Sequence, residues 1–132
     1  MIIVLEDMQV RVDWLRDAFG ALHAVNWRDD VESFLLALDG VAPTLVILDH
    51  DLGGPIDVTK PEPRMSRDAD GLTGLDACDR MPVVACPVLV WSMNPVRAPI
   101  MVQTLQRRGM RALWAPYGTP QCAAAIVRAV TA

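Results

Sequence analysis

Hydrophobic residues along the chain form two patterns, which are short continuous runs and longer stretches with an apolar side chain every three or four positions. The runs are typical of strands buried on both faces of a parallel sheet, and the spaced stretches are typical of amphipathic helices. The runs predict five strands, at Ile2–Leu5, His23–Trp27, Thr44–Leu48, Pro87–Trp91 and Arg111–Ala115.

The spaced stretches predict five helices that alternate with these strands. They cover about residues 9–22, 31–38, 73–80, 99–108 and the segment from 120 onward. Val12, Leu15, Phe19 and Leu22 form the apolar positions of the first helix. Asp29 or Asp30, Thr73 and Thr119 precede later helices and are suitable capping residues. Asp76 completes a variant of the capping box with Thr73.

This alternation predicts an α/β domain with a doubly wound, five-stranded parallel sheet covered by helices on both faces. We expect residues 1–132 to form a single domain, since no internal repeat or boundary is visible. Residues 53–71 are rich in glycine, proline and charge, without apolar periodicity. They predict a long loop, of the kind that usually has a function or is disordered.

Composition narrows the class of protein. The 132 residues are 52% hydrophobic and carry a net charge of −4. No apolar run approaches the ~18 residues of a membrane helix, and no basic segment precedes an apolar one at the start, so we expect a soluble cytoplasmic protein. The negative charge disfavours a general nucleic-acid surface but permits a small phosphorylated ligand. Three cysteines without metal-ligand spacing indicate reduced, buried thiols.

Polar residues gather immediately after the predicted strands. In doubly wound sheets, ligands bind beyond the carboxyl ends of the strands. The candidate residues are Glu6 and Asp7 after the first strand, Asp49, His50 and Asp51 after the third, and Ser92 and Asn94 after the fourth.

Three of these acids predict a metal site. Glu6, Asp7 and Asp49 would repel one another and raise one another's pKa unless a cation lay among them. Hard oxygen ligands suit Mg²⁺, which usually keeps water positions that a phosphate oxygen can take. The alternative is that these acids only solvate loop edges.

The remaining polar residues suggest phosphate chemistry. His50 is suited to act as a general acid or base beside a metal-bound phosphate, or else has a structural role with its ring turned away. Ser92 and Asn94 can donate hydrogen bonds to phosphate oxygens, although Asn94-Pro95 is also a common turn sequence. The four tryptophans are interpreted as packing residues.

The acidic pair, the strand-three aspartate and the serine after strand four resemble a response-regulator receiver domain, which has a flavodoxin-like fold. The resemblance implies that Glu6, Asp7 and Asp49 bind Mg²⁺ and that Asp49 accepts a phosphoryl group near Ser92. Receivers carry a lysine before a proline at the end of strand five, whereas this chain has Ala115-Pro116. Lys60 is its only lysine. This departure disfavours ordinary phosphorelay.

A more specific resemblance is to the cyclic-phosphate processing receiver domain. It rests on Leu48-Asp49-His50-Asp51-Leu52-Gly53, Thr73-Gly74, Ser92-Met93-Asn94-Pro95 and Met101. It implies catalysis by His50 and Asp49 beside a metal, with phosphate held by Ser92 and Asn94. Trp91, Arg97 and Ile100 stand where that family has histidine, glycine and asparagine. Arg97 is a candidate phosphate contact, and Asp51 is a further candidate site residue.

Three functions follow from these interpretations. The first is a metal-dependent phosphoesterase that processes a cyclic phosphate on a nucleotide or RNA end. The second is a non-catalytic module that sequesters a ligand or binds a protein partner, which the missing second histidine favours. The third is an atypical receiver that accepts phosphate on Asp49. None of these functions requires a membrane.

Overall fold

The computed structural model describes residues 1–52 and 72–131, and the predicted loop at 53–71 lies outside this range. The described residues include five strands, β1 (Ile2–Leu5), β2 (Val25–Arg28), β3 (Leu45–Leu48), β4 (Val88–Val90) and β5 (Ala112–Trp114). All neighbouring strands are parallel, in the order β2-β1-β3-β4-β5. The predicted five-stranded, doubly wound sheet is therefore confirmed.

Five helices within the described residues cover the two faces of this sheet. They are α1 (Gln9–Phe19), α2 (Val31–Leu38), α3 (Gly74–Arg80), α4 (Arg97–Arg107) and α5 (Pro120–Thr131). Buried side chains of α2, α3 and α4 pack in one hydrophobic cluster, and those of α1 and α5 mostly pack in the other. Within the described ranges, no helix has the length and apolar character needed to span a bilayer.

The central strand β1 shows why the sheet needs helices on both faces. Ile3 and Leu5 belong to the α2–α4 cluster, whereas Ile2 and Val4 belong to the α1–α5 cluster. Successive side chains of a strand point to opposite faces, so a four-residue apolar run supplies both cores. All four side chains are fully buried.

Helix α1 is shorter than its sequence pattern predicts. It ends at Phe19, and Leu22, which was expected on its apolar face, is 87% exposed. The Gly20 amide donates to the Arg16 carbonyl, and the amides of Leu22 and His23 both donate to the Phe19 carbonyl. These bonds form a turn that leads into β2, which begins at Val25 rather than at His23.

Helix α4 begins two residues before the predicted start at Pro99. The side-chain oxygen of Asn94 accepts hydrogen bonds from the amides of Val96 and Arg97, each at 3.0 Å. This cap starts the helical turn ahead of the proline, whose ring is tolerated in the first turn of a helix.

Three predicted capping residues are confirmed. Asp30 accepts a hydrogen bond from the Ser33 amide at 2.7 Å. The Thr73 amide donates to Asp76 at 2.8 Å, and the Thr119 hydroxyl accepts from the amide of Cys122 at 3.2 Å. These caps begin α2, α3 and α5 at the residues that the sequence indicates.

The three cysteines are free thiols that are buried or partly buried in the fold. Cys78 and Cys122 are buried and Cys86 is partly buried. Burial raises the pKa of Cys78 to about 12 and that of Cys122 to about 11. Thiols of this kind are protonated and unreactive near neutral pH.

Helix α3 comes unusually close to the end of β3. The Gly74 amide donates to the His50 carbonyl at 3.0 Å. A Cβ atom added to Gly74 would lie 1.9 Å from the carbonyl oxygen of Asp49. Only glycine can occupy this position without moving the backbone that carries Asp49 and His50.

We expect Gly74→Ala to lower the free energy of unfolding by roughly 1–3 kcal/mol, because backbone atoms must move to accommodate the methyl group. Chemical denaturation would measure this loss. Gly40→Ala is the matched control, since a Cβ there meets no atom within 4 Å and only the positive φ of 68° opposes it. The control should lose less stability than Gly74→Ala. Equal losses in the two variants would contradict the steric role assigned to Gly74.

Candidate metal and phosphate site

The pairing of β1 with β3 brings the acidic residues together. Leu5 is opposite Leu48, so Glu6 and Asp49 follow at the same level of the sheet. The Asp49 amide donates to the Leu5 carbonyl at 3.0 Å and extends this pairing by one residue. Carboxylate oxygens of Glu6, Asp7 and Asp49 all lie within 4.8 Å of one another. The predicted acidic cluster is therefore present.

Glu6 lies at the bottom of this cluster and is fully buried. One carboxylate oxygen accepts hydrogen bonds from the amides of Asp7 at 2.9 Å and Met8 at 3.4 Å. The other oxygen accepts from Nη1 of Arg11 at 3.1 Å. These donors hold the carboxylate in one orientation beneath Asp49.

Arg11 is a site residue that the sequence interpretation missed. Its Nη1 atom lies 3.1 Å from Oε1 of Glu6 and 3.8 Å from Oδ1 of Asp49. The guanidinium carbon lies 4.9 Å from the ring centroid of Tyr117, and Nη2 lies 3.4 Å from Sδ of Met93. A basic residue in the first turn of a helix is unfavourable to the helix dipole, which was the available signal that it has an acidic partner.

Burial shifts the ionisation of the two inner acids, Glu6 and Asp49. Burial, and then the charge of Asp49, raises the pKa of Glu6 to about 8, although Arg11 opposes this shift. Burial also raises the pKa of Asp49, against the effects of Glu6 and Arg11. Ionisation of all three carboxylates beside one guanidinium would leave two negative charges uncompensated.

This charge deficit and the donor set fit a hard divalent cation such as Mg²⁺. Glu6, Asp7 and Asp49 would hold it, and all three offer the oxygen atoms that such ions prefer.

An open pocket of about 360 Å³ lies above the acidic cluster. Its wall combines carboxylates, one guanidinium and one amide, and consists of Asp7, Met8, Arg11, Asp49, Asp51, Met93 and Asn94. Arg11 is the only basic residue among the described residues that line it. The pocket therefore offers oxygen ligands and one positive hydrogen-bond donor within a single cavity.

His50 does not line this pocket. Its ring is largely buried, and Nδ1 lies 2.9 Å from Oδ1 of Asp51. The other oxygen of Asp51 accepts a hydrogen bond of 3.5 Å from the Asn94 side chain. Asp51 therefore links His50, which does not line the pocket, to Asn94, which does.

Ser92 and Asn94 shape the loop between β4 and α4. Ser92 is fully buried, and its hydroxyl oxygen accepts a hydrogen bond from the Asn94 amide at 3.1 Å. The Asn94 oxygen caps α4, so its side-chain NH₂ is the group available towards the pocket. Arg97 has an exposed side chain and does not line the pocket.

Trp91 occupies the hydrophobic core rather than the pocket. It is fully buried, and its ring packs edge-on against Tyr117 at 5.4 Å between centroids. Trp14 lies 6.5 Å away. Ala115, at the position of the receiver lysine, is also buried. In the described part of the chain, β5 therefore contributes no charged group to the pocket.

Two other tryptophans brace the ends of the inner strands. The indole N–H of Trp27, on β2, donates to the Glu6 carbonyl at 2.6 Å. The indole N–H of Trp114, on β5, donates to the Ser92 carbonyl at 2.8 Å. Each edge strand thereby holds the backbone of a residue that the sequence assigned to the site.

The raised pKa of Glu6 predicts a pH-dependent stability in EDTA. Between about pH 4.5 and 8 the folded protein binds more protons than the unfolded chain, so its free energy of unfolding should fall as pH rises. The slope from one such group is at most about 1.4 kcal/mol per pH unit. Denaturant titrations at several pH values would measure it.

Glu6→Gln should flatten this dependence, because the amide does not ionise. Glu32→Gln, at a side chain that is 60% exposed, should leave it unchanged. A slope that persists in Glu6→Gln would assign it to another group.

Comparisons with known proteins identify the fold. Neither a family model nor a curated protein matches the chain. Among solved structures, NtrX from Brucella abortus matches 98% of the chain at 22% identity with a TM-score of 0.59, and the chain spans only 27% of NtrX.

Two further solved structures also match 98% of the chain. The signal receiver domain of a modulated diguanylate cyclase from Desulfovibrio desulfuricans G20 is 14% identical, with 89% of it covered and a TM-score of 0.57. The N-terminal domain of the nisin resistance regulator NsrR is 16% identical, with 93% covered and a TM-score of 0.55. With its strand order and its acidic pocket, the chain has the flavodoxin-like fold of response-regulator receiver domains.

Proposed function

We propose that this receiver-like domain binds a divalent cation together with a phosphate-bearing ligand. The observation that carries the proposal is one pocket in which the carboxylates of Asp7 and Asp49, with that of Glu6 buried beside them, adjoin a guanidinium and an amide. When bound, a divalent cation supplies charge neutralisation and polarises phosphate oxygens. The side-chain NH₂ of Asn94 is suited to donate to such an oxygen.

The charge of the cluster explains why the two ligands belong together. A phosphate alone would be repelled by the carboxylates at the pocket wall. The cation removes that repulsion, and it retains coordination positions for oxygen atoms from the ligand. Binding of the phosphate-bearing ligand should therefore depend on the cation.

Thermal unfolding with Mg²⁺ would test this function. Stabilisation of about 2.7 kcal/mol is expected when the cation is present at about 100 times its dissociation constant. Asp49→Asn should lose most of this effect, because it removes a charged ligand from the centre of the cluster. Asp17→Asn, an exposed position on α1, is the matched control and should respond like the wild type. Lack of any response to Mg²⁺ or Mn²⁺ in the wild type would refute the proposal.

We further propose that the ligand is a cyclic phosphate on a nucleotide or RNA end, and that the domain opens it. The His50–Asp51 pair favours this activity, since Asp51 holds Nδ1 and leaves Nε2 to exchange protons. Water would add to phosphorus while one ring P–O bond breaks. His50 would accept the proton of water and return one to the leaving oxygen. The ring must turn towards the pocket to do so.

His50→Ala should abolish hydrolysis of a 2′,3′-cyclic nucleotide while stabilisation by Mg²⁺ is retained. Product formation followed by chromatography would measure turnover, and thermal unfolding would report metal binding. His23→Ala is the control. His23 precedes the amino end of β2, at the edge of the sheet opposite the pocket, so this variant should retain activity. Turnover that is unchanged in His50→Ala would exclude the role of this histidine.

A non-catalytic module is the second candidate function, and it would sequester the ligand or serve a protein partner. It is favoured by the position of His50 outside the pocket and by Trp91, which fills the place of the expected second histidine with core packing. Stabilisation by a cyclic nucleotide without product would select it. A phosphoryl adduct on Asp49 after incubation with acetyl phosphate would instead indicate a phosphoacceptor.

A further inference from the structure

Arg11 is the positively charged side chain of the pocket. Its side chain is 12% exposed and reaches both inner carboxylates, at 3.1 Å for Glu6 and 3.8 Å for Asp49. Among the described residues that line the cavity, it is the only one with a positive charge. A divalent cation held by the same carboxylates would take over the interactions that now hold the guanidinium.

The guanidinium of Arg11 has a second contact, which does not involve a carboxylate. Its central carbon lies 4.9 Å from the centroid of the Tyr117 ring, and the face of an aromatic ring attracts a cation. Tyr117 itself is held edge-on by Trp14 and Trp91, with centroids 5.6 and 5.4 Å away. This aromatic support does not depend on the carboxylates, so it persists when they bind another cation.

Arginine is also the side chain best suited to a phosphate, since its planar fork donates two parallel hydrogen bonds. Nη2 lies 3.4 Å from Sδ of Met93, which is a weak acceptor. A phosphate oxygen in the pocket would be a much stronger partner for this N–H group. The guanidinium therefore has a donor directed across the cavity rather than into the protein.

Resting on the proposed function, we propose that Arg11 is the phosphate-contacting residue of this pocket and that it competes with the divalent cation for Glu6 and Asp49. Without the cation, Arg11 is paired with the two carboxylates. With the cation bound, Arg11 is released from them, stays over Tyr117 and donates to the phosphate-bearing ligand. Cation and phosphate then bind cooperatively, because the first frees the residue that holds the second.

Arg11→Ala separates the competition with the cation from the contact with the phosphate. The probes are Mn²⁺ and inorganic phosphate, and their affinities are measured by isothermal titration calorimetry. Mn²⁺ should bind about tenfold more tightly or better than in the wild type, because a competing charge is gone. Phosphate, titrated in the presence of saturating Mn²⁺, should bind about tenfold to a hundredfold more weakly. Arg107→Ala, an exposed arginine in the last turn of α4, changes the charge equally and should leave both affinities unchanged.

Arg11→Lys keeps the experiment decisive if the alanine variant unfolds without metal. It retains the charge but loses the fork, so Mn²⁺ affinity should stay near that of the wild type while phosphate affinity falls. Wild-type phosphate affinity in both variants would overturn the role of Arg11 and leave the proposed function intact. Wild-type protein that binds neither Mn²⁺ nor phosphate would overturn the proposed function, and this inference with it.

Discussion

The parallel pairing of β1 with β3 is the constraint on which the site depends. Both strands are fully buried, and their register places the residue after each strand at the same level of the sheet. Glu6 and Asp49 are therefore adjacent because hydrophobic side chains must fill two cores, not because the acids attract each other. The free energy of burying these strands offsets the cost of bringing two carboxylates together.

That electrostatic cost is only partly relieved by Arg11. Burial raises the pKa values of Glu6 and Asp49 even though the guanidinium lowers both. Arg11, on α1, therefore neutralises only part of the charge of the ionised cluster, and a proton or a divalent cation would neutralise the rest.

Much of the fold and the acidic cluster could be predicted from the sequence, because both depend on local patterns. Continuous apolar runs identify buried strands, and the residues after them must lie at one edge of the sheet. The end of α1 could not be predicted, since Leu22 continues the helical spacing and only the turn at Gly20 excludes it. Arg11 and the orientation of His50 depend on side-chain contacts across elements, which spacing does not encode.

The indole hydrogen bonds of Trp27 and Trp114 connect the two edge strands of the sheet to the backbone around this pocket. The carboxylates follow β1 and β3, the amide lies in the loop after β4, and the guanidinium of Arg11 comes from α1. The bonds to the Glu6 and Ser92 carbonyls come from β2 and β5, at the two sheet edges. A fragment or a graft of β1, β3 and β4 alone would lose the two indole hydrogen bonds that hold the backbone of Glu6 and Ser92, so a transfer of the pocket to another scaffold should include β2 and β5.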